Sequence, residues 1–283
     1  SEIAQALTKI KEDHTYEKNG ATWLESSKFG DDKDRVIIRE DGRGTYLSAD
    51  LAYHKNKLDR GFDTIINVWG SDHHGYIKRI EASIEAVGYN KKQMKVQLVQ
   101  FANLFENGSK VKMSTRSGNF YTLKQLIDDI GPDASRFYYL SKQADQHLDF
   151  DIAIARSDSK DNLYYYIQYA HARISSVEKK FLELGQSLPN KFNNARFEEC
   201  DELLQKALNA QFIIKSSGES LQPHLIVYYL RDVAQTFHQF YNTVNILNAD
   251  EDHKNDIMRT LIIVKSVIAS CMELLGIEPL ESM

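Results

Sequence analysis

The chain has 283 residues, of which 42% are apolar and 27% charged. This composition is typical of a soluble globular protein and excludes a disordered or collagen-like chain. The net charge of −5 means that a nucleic-acid partner would have to bind at a local basic patch. The two cysteines, Cys200 and Cys271, form no CxxC pattern, so they indicate neither a zinc site nor a disulfide framework.

Neither the N-terminal segment nor the longest apolar stretch is suited to directing the chain to a membrane. The N-terminal sequence SEIAQALTKIKEDH has no apolar signal-peptide core. The longest apolar stretch, residues 261–275, contains Lys265 and is a poor candidate for a membrane span. We therefore expect a cytoplasmic protein with no membrane partner.

The first half of the chain mixes predicted helices and strands. A helix is predicted from Ser48, a favourable N-cap residue, to Gly61. Residues 64–70 (TIINVWG) predict a buried strand, and residues 94–101 predict another. Helical spacing of apolar residues marks a helix between these strands, at Ile77, Ile80, Ile84 and Val87. This order predicts a β-α-β unit with a parallel sheet.

From residue 161 onward the pattern is almost purely helical. An apolar stripe on one long helix consists of Leu163, Ile167, Ala170, Ile174, Val177, Phe181 and Leu184. Three more helices are predicted over about 196–215, 224–247 and 253–275. The second half is therefore expected to be a helical bundle.

Three polar segments in the α/β half could carry chemistry. WGSDHHGY (69–76) follows a predicted strand, where ligands bind in open α/β sheets. KVKMSTRSG (110–118) has cationic side chains that could embrace a polyphosphate. In TYLSADLAY (45–53), Asp50 would lie in the first helical turn, and its carboxylate suits a guanidinium. Taken singly, each segment also fits a polar turn, a solvated loop or a helix cap.

Together these segments resemble a class I aminoacyl-tRNA synthetase, specifically the bacterial-type arginyl-tRNA synthetase. KMSTRSGNFYTL is similar to the KMSKS signature of that family, and WGSDHHGY resembles its adenosine-side segment. Further similar segments are TYLSADLAYH, GPDASRF (131–137), LDFD (148–151) and YIQYAHARI (166–174). The resemblance extends over nearly the whole chain, in the family's order.

The resemblance implies roles for individual residues. Arginine would be bound by Tyr46, Asp50 and His73. The ribose of ATP or the adenylate would be held by Gly70 and Asp72. Catalytic groups along the phosphates would be Lys112, Ser114 and Arg116, with Met113 also in the ATP site. ATP is implied as the Mg²⁺ complex, and no structural metal is expected.

The resemblance also implies binding of tRNA(Arg) by the helical half. Tyr169 would stack on an unpaired base, although a core role is equally compatible with its position. The C-terminal LGIEPLESM resembles the family's natural ending, so Met283 would reach the anticodon loop. DNA is not an expected partner.

Two departures from the family pattern stand out. Thr115 replaces the second lysine of KMSKS, and no His-x-Gly-His occurs in the 283 residues. With Ser1 at the start, we expect the C-terminal portion of a longer enzyme, unable by itself to charge tRNA at a normal rate.

The resulting prediction is an α/β protein in three parts. Residues 1–107 would form the C-terminal half of a Rossmann-like catalytic domain, residues 108–160 the KMSKS loop and stem-contact segment, and residues 161–283 an all-helical anticodon-binding domain. The predicted function is ligation of arginine to tRNA(Arg) through arginyl-adenylate. Two alternatives are a non-catalytic RNA-binding module and a metal-dependent phosphoesterase built on Asp72, His73 and His74.

Overall fold

A computed structural model describes residues 14–111, 121–192, 198–244, 246 and 249–283. The chain divides between Phe101 and Ala102 into two compact units, which are described separately below.

The first unit opens with a small antiparallel sheet that the sequence analysis did not predict. Its strands are β1 (Thr15–Lys18), β2 (Ala21–Leu24) and β3 (Arg35–Ile38), in the order β1-β2-β3. Asn19 and Gly20 join β1 to β2, with φ angles of 54° and 73°. Asn-Gly favours this type of hairpin turn because both residues tolerate positive φ. This pair is therefore the sequence feature from which the hairpin could have been predicted.

Helix α1 (Tyr46–Asp59) begins earlier than predicted. Its N-cap is Thr45, whose extended backbone lets the side chain accept a hydrogen bond from the Ser48 backbone N–H. The predicted N-cap, Ser48, is wrong; its buried hydroxyl lies 2.8 Å from the carbonyl oxygens of Ile37 and Thr45. Asp50 therefore lies beyond the first turn, where the helix dipole has little effect.

The predicted β-α-β unit is present. Strands β4 (Ile65–Gly70) and β5 (Met94–Val99) pair in parallel, and helix α2 (Ile77–Ala86) connects them. A 3-10 segment, Ser71–Tyr76, follows β4 directly. Only one face of β4 is buried, since Val68 on the other face is 68% exposed. The expectation of a wholly buried strand is therefore wrong.

The second unit begins with a three-stranded sheet. Strand β6 (Ala102–Glu106) lies between β7 (Ser109–Lys110) and β8 (Leu148–Asp151), antiparallel to β7 and parallel to β8. Helices α3 (Leu123–Ile130) and α4 (Pro132–Leu140) precede β8, and the short α5 (Ile152–Ala155) follows it.

In the described part of the second unit, five helices complete the structure as a bundle. They are α6 (Leu163–Glu183), α7 (Asp201–Leu208), α8 (Ala210–Ser220), α9 (His224–Thr243) and α10 (Glu251–Leu274). The helix predicted over 196–215 is wrong as one element, because the chain turns at Asn209 between α7 and α8. No helix within the described residues is long and apolar enough to cross a membrane.

The predicted apolar stripe of α6 faces the bundle core, with one exception. Ile167, Ala170, Ile174 and Phe181 are buried, as predicted. Leu184 is 62% exposed because it follows the last helical residue and no longer continues the stripe.

Replacing the buried ring of Phe181 tests this packing. We expect Phe181→Ala to lower the free energy of unfolding by about 3–5 kcal/mol, since it leaves a cavity. Leu184→Ala is the matched control and should change it by less than about 0.5 kcal/mol. Urea denaturation followed by circular dichroism measures both, and equal effects would contradict the assigned packing.

Candidate functional site

A cavity of about 210 Å³ lies in the first unit, at the carboxyl end of β4. Helix α1, strand β4 and the 3-10 segment after β4 contribute its walls. The lining residues are Asp50, Tyr53, His54, Lys57, Asn67, Trp69, His73 and Tyr76. This is the edge of a parallel sheet where loops leave the strands and ligands bind.

The Asp50 carboxylate is held in place by Tyr76. The Tyr76 hydroxyl donates a hydrogen bond of 2.8 Å to Asp50 Oδ2. Burial of the phenol, together with this bond to a carboxylate, raises the pKa of Tyr76 well above its usual value. Tyr76 therefore stays protonated at neutral pH and remains a donor to Asp50.

A buried histidine stands beside Asp50. His54 Nδ1 lies 2.7 Å from the backbone carbonyl of Asp50, and Nε2 lies 2.8 Å from the amide nitrogen of Asn67. Because a carbonyl only accepts, Nδ1 carries the hydrogen and Nε2 accepts from Asn67. Burial lowers the pKa of His54, so the imidazole is neutral at pH 7.

Lys57 is a further polar residue that lines the cavity. The Lys57 ammonium lies 3.2 Å from Asn67 Oδ1 and 4.1 Å from the centre of the Tyr53 ring. Burial lowers the pKa of Lys57. The cavity thus combines an oriented carboxylate, a neutral imidazole and an ammonium group against aromatic walls.

The structure brings two of the three predicted arginine-binding residues to this cavity. Asp50 and His73 both line it. Tyr46 is the first residue of α1, is 87% exposed and does not contribute to the lining.

The predicted ribose-binding residues lie at the end of β4. A Cβ atom at Gly70 would come within 2.5 Å of Asp72 Oδ1, so any larger residue there would displace the carboxylate. Asp72 is exposed, with Oδ2 at 3.8 Å from His73 Nε2.

The sequence analysis missed several lining residues, three of which lie beside the predicted Asp50 on one helix face. Asp50, Tyr53, His54 and Lys57 follow the spacing i, i+3, i+4, i+7, which places them along one side of α1. Asn67 lies in a strand that reads as apolar, so no pattern marked it.

The predicted phosphate-binding residues all fall within one short stretch of the sequence. Lys112, Met113, Ser114 and Arg116 all lie outside the described residues. The described flanks, Val111 and Tyr121, both pack against the core formed by Leu104, Leu126 and Phe150.

In the second unit, Tyr169 belongs to an aromatic surface of the bundle. Its ring stacks on Tyr165 and on His238, with centroids 6.0 and 5.6 Å apart. The Arg173 guanidinium lies 5.3 Å from the Tyr169 ring and 3.7 Å from the Tyr241 ring. Tyr169 is 38% exposed, so part of its ring remains open to a ligand.

The C-terminal tail is fixed to the same helix. The buried Gln168 side chain accepts from the Leu280 N–H at 2.9 Å and donates to the Glu278 carbonyl at 2.7 Å. His171 Nδ1 lies 2.8 Å from the Leu280 carbonyl. Met283, three residues further on, is 52% exposed.

The described residues contain no cluster of three or more His, Cys, Asp or Glu side chains able to hold a metal ion. In this part of the chain, Asp72, His73 and His74 therefore have no further ligands that would complete a phosphoesterase centre.

Comparison with known proteins defines the class of protein. Residues 2–148 match the family described as tRNA synthetases class I (R), catalytic domain, and residues 167–283 match the DALR anticodon binding domain. The chain therefore belongs to the class I tRNA synthetases of the (R) type, the arginyl-tRNA synthetase family, and the predicted fold class is confirmed.

Individual relatives agree with this assignment. The chain is 42% identical to the arginine–tRNA ligase of Halorhodospira halophila, covering 99% of this chain and 49% of the relative. It is 41% identical to arginine–tRNA ligase 1 of Halalkalibacterium halodurans, covering 99% of this chain and 51% of that relative. The chain thus spans about half the length of the curated relatives it matches.

Solved structures give the same result. A structure assigned to an arginyl-tRNA synthetase of Campylobacter jejuni superposes with a TM-score of 0.88 at 38% identity, covering 99% of this chain and 62% of that one. The arginyl-tRNA synthetase of Thermus thermophilus shares the fold, with a TM-score of 0.82 at 18% identity. The match covers 100% of this chain and 58% of that one.

The neutral His54 predicts a pH dependence of stability. Because burial lowers the folded-state pKa of His54 below its unfolded value of about 6.5, only the unfolded chain binds the proton as the pH falls. We expect the free energy of unfolding to fall below pH 6.5, and to fall less steeply in His54→Gln. The difference cannot exceed about 1.4 kcal/mol per pH unit, the limit for one proton.

Urea titrations at pH 7 and pH 5 measure this slope. His147→Gln, which removes an exposed histidine, is the control. Equal slopes in the parent chain and in His54→Gln would contradict the neutral assignment.

Proposed function

We propose that this chain supplies part of an arginine–tRNA ligase, which activates arginine with ATP and transfers it to tRNA(Arg) in the cytoplasm. The observation that carries the proposal is the Asp50 carboxylate, oriented by Tyr76 in a cavity at the end of a parallel strand. Family membership supports the same reaction.

Arginine binds through its guanidinium to Asp50 in this proposal. A guanidinium presents two parallel N–H donors, which match the two oxygens of a carboxylate. The hydrogen bond from Tyr76 limits rotation of Asp50, so less conformational entropy is lost on binding. His73 lines the same cavity and offers a polar contact to the substrate. Tyr46, at the start of α1 and outside the cavity lining, is the third proposed arginine contact.

ATP binds beside arginine, with its ribose at Gly70 and Asp72. Lys112, Ser114 and Arg116, with Met113, contact the phosphates of the Mg²⁺ complex. The reaction needs little covalent help from the protein, because positioning and stabilisation of the developing phosphate charge lower its barrier. Thr115 leaves one lysine fewer for that task than KMSKS provides.

The anticodon loop of tRNA(Arg) binds at the aromatic surface around Tyr169, with Met283 as a further contact. Stacking on Tyr169 and the positive charge of Arg173 would act together on an unpaired base. In this proposal residues 1–107 serve catalysis, residues 108–160 hold the signature loop and contact the tRNA stem, and residues 161–283 bind the anticodon.

Removing the Asp50 carboxylate tests the arginine site. We expect Asp50→Ala, in the complete ligase that carries this sequence, to raise the KM for arginine strongly. Loss of a buried charged partner lowers the binding free energy by about 2–5 kcal/mol. The KM for ATP should change less, because Asp50 contacts only arginine in this proposal. Steady-state kinetics with each substrate varied measures this.

The exposed carboxylate variant Asp63→Ala is the control, because it removes a charge from the same unit outside the cavity lining. An unchanged KM for arginine in Asp50→Ala would remove Asp50 from the binding site.

The anticodon surface is tested by Tyr169→Ala. Loss of one stacking platform should weaken tRNA binding by about 1–3 kcal/mol. Tyr228→Ala is the matched control, since Tyr228 is another partly exposed tyrosine of the bundle with an arginine over its ring, Arg231 at 5.5 Å. Filter binding of tRNA(Arg) at fixed salt measures both, and equal losses would argue against a specific role of Tyr169.

A further inference from the structure

The chain on either side of residues 112–120 is anchored to one small core. Val111 ends the first flank and Tyr121 begins the second, and both pack against the core cluster that contains Leu104, Leu126 and Phe150. Residues 112–120 themselves lie outside the described part of the chain.

The first flank is a hairpin tied to Asp151. Asn107 and Gly108 form its turn with φ angles of 50° and 75°. The Asp151 carboxylate accepts from the N–H of Gly108 at 2.7 Å and from the N–H of Asn107 at 3.3 Å. These backbone bonds lower the pKa of Asp151. Strand β7 then runs to Val111, whose N–H donates to the Leu104 carbonyl at 2.8 Å.

The second flank is tied to Asp129 of helix α3. The Tyr121 hydroxyl donates to Asp129 Oδ2. A capping box at the start of α3, formed by Thr122 and Gln125, orients the residues that follow Tyr121. The position of the second flank therefore depends on where Asp129 is held.

Arg156 connects the two flanks. One nitrogen of its guanidinium lies 2.6 Å from Asp129 Oδ2, and another lies 3.1 Å from Glu106 Oε1 at the end of β6. The hydrogen bond with Asp129 raises the pKa of Arg156, which therefore remains charged. The planar fork of an arginine can bridge two carboxylates in this way, whereas a lysine presents a single charged centre.

The bridge contributes little to global stability. The Arg156 side chain is 41% exposed, and ion pairs in contact with solvent contribute no more than about 1 kcal/mol. Its geometric effect is larger, because Arg156 links the end of β6 to Asp129, which in turn accepts the hydrogen bond from Tyr121.

We propose that Arg156 is a positioning residue for the signature segment 112–120, acting through Glu106 and Asp129 to set the separation of its two flanks. This inference rests on the proposed function, in which that segment contacts the phosphates of ATP. Misplacement of a binding group by about 1 Å can lower a reaction rate about 100-fold. A small loss of stability can therefore accompany a large loss of rate.

Two neighbouring carboxylates on α3 supply a matched pair of variants. Asp129→Asn weakens the bond to Arg156, and Arg156→Gln removes the bridge itself. Asp128→Asn is the control, because Asp128 pairs with Lys124 at 2.9 Å on the same helix. All three substitutions remove one charge, and the two Asp→Asn changes also preserve the side-chain volume.

Kinetics of arginine-dependent ATP–pyrophosphate exchange, with tRNA present, tests the role in the complete ligase. We expect Arg156→Gln and Asp129→Asn to lower kcat about tenfold, with the KM for arginine unchanged and the thermal midpoint lowered by no more than about 4 °C. The double variant should lose no more than the larger single loss, because both changes break one bridge. Asp128→Asn should match the parent protein.

The proposal is overturned if Arg156→Gln behaves like Asp128→Asn. It is also overturned if the lost activity is proportional to the lost folded fraction, which would make the role purely structural. Hydrogen exchange of the backbone over 104–111 and 121–126 provides a readout independent of catalysis. Faster exchange at both flanks in Arg156→Gln supports the bridge, and unchanged exchange argues against it.

This design separates the two proposals. If the parent ligase forms no arginyl-adenylate, the proposed function fails, and hydrogen exchange alone then decides whether Arg156 holds the flanks. If the parent is active and only the bridge variants are unaffected, the proposed function stands and the positioning role fails.

Discussion

The hydrogen bond from Tyr76 to Asp50 joins helix α1 to the segment that follows β4, and the geometry of the candidate site depends on it. Burial keeps the Tyr76 hydroxyl protonated, so the bond persists at neutral pH. Asp50 is thereby held as an oriented acceptor, while its backbone carbonyl also orients His54. One residue thus combines an oriented carboxylate with the internal order of the cavity wall.

The second unit uses the same principle, with buried polar side chains defining where surface groups lie. Gln168 pairs with the backbone of the C-terminal tail on both of its amide atoms, and the adjacent Tyr169 faces outward in part. A buried amide without partners would be costly, so its bonds specify one register for the tail. The bundle core supports this arrangement through the buried side of α6.

Much of the fold could be predicted from local patterns. The β-α-β unit and the stripe of α6 follow from apolar residues at strand and helix spacing, because burial of one face imposes that periodicity. The hairpin at Asn19-Gly20 and the break at Asn209 were missed, since short strands and helix-to-helix turns leave weak periodic signals. The N-cap of α1 was misassigned because Thr45 and Ser48 are both suitable caps, and only backbone geometry distinguishes them.

For the site, the sequence by itself determined the family, the residue types available and two cavity residues, Asp50 and His73. These conclusions rest on short segments whose residue types indicate their chemistry without a three-dimensional structure. Only the tertiary structure decided that Tyr76 orients Asp50, that Asn67 contacts the buried His54, and that Arg156 bridges Glu106 and Asp129. Those partners are 13 to 50 positions apart, and a hydrogen bond depends on distance and angle in space, which spacing along the chain does not encode.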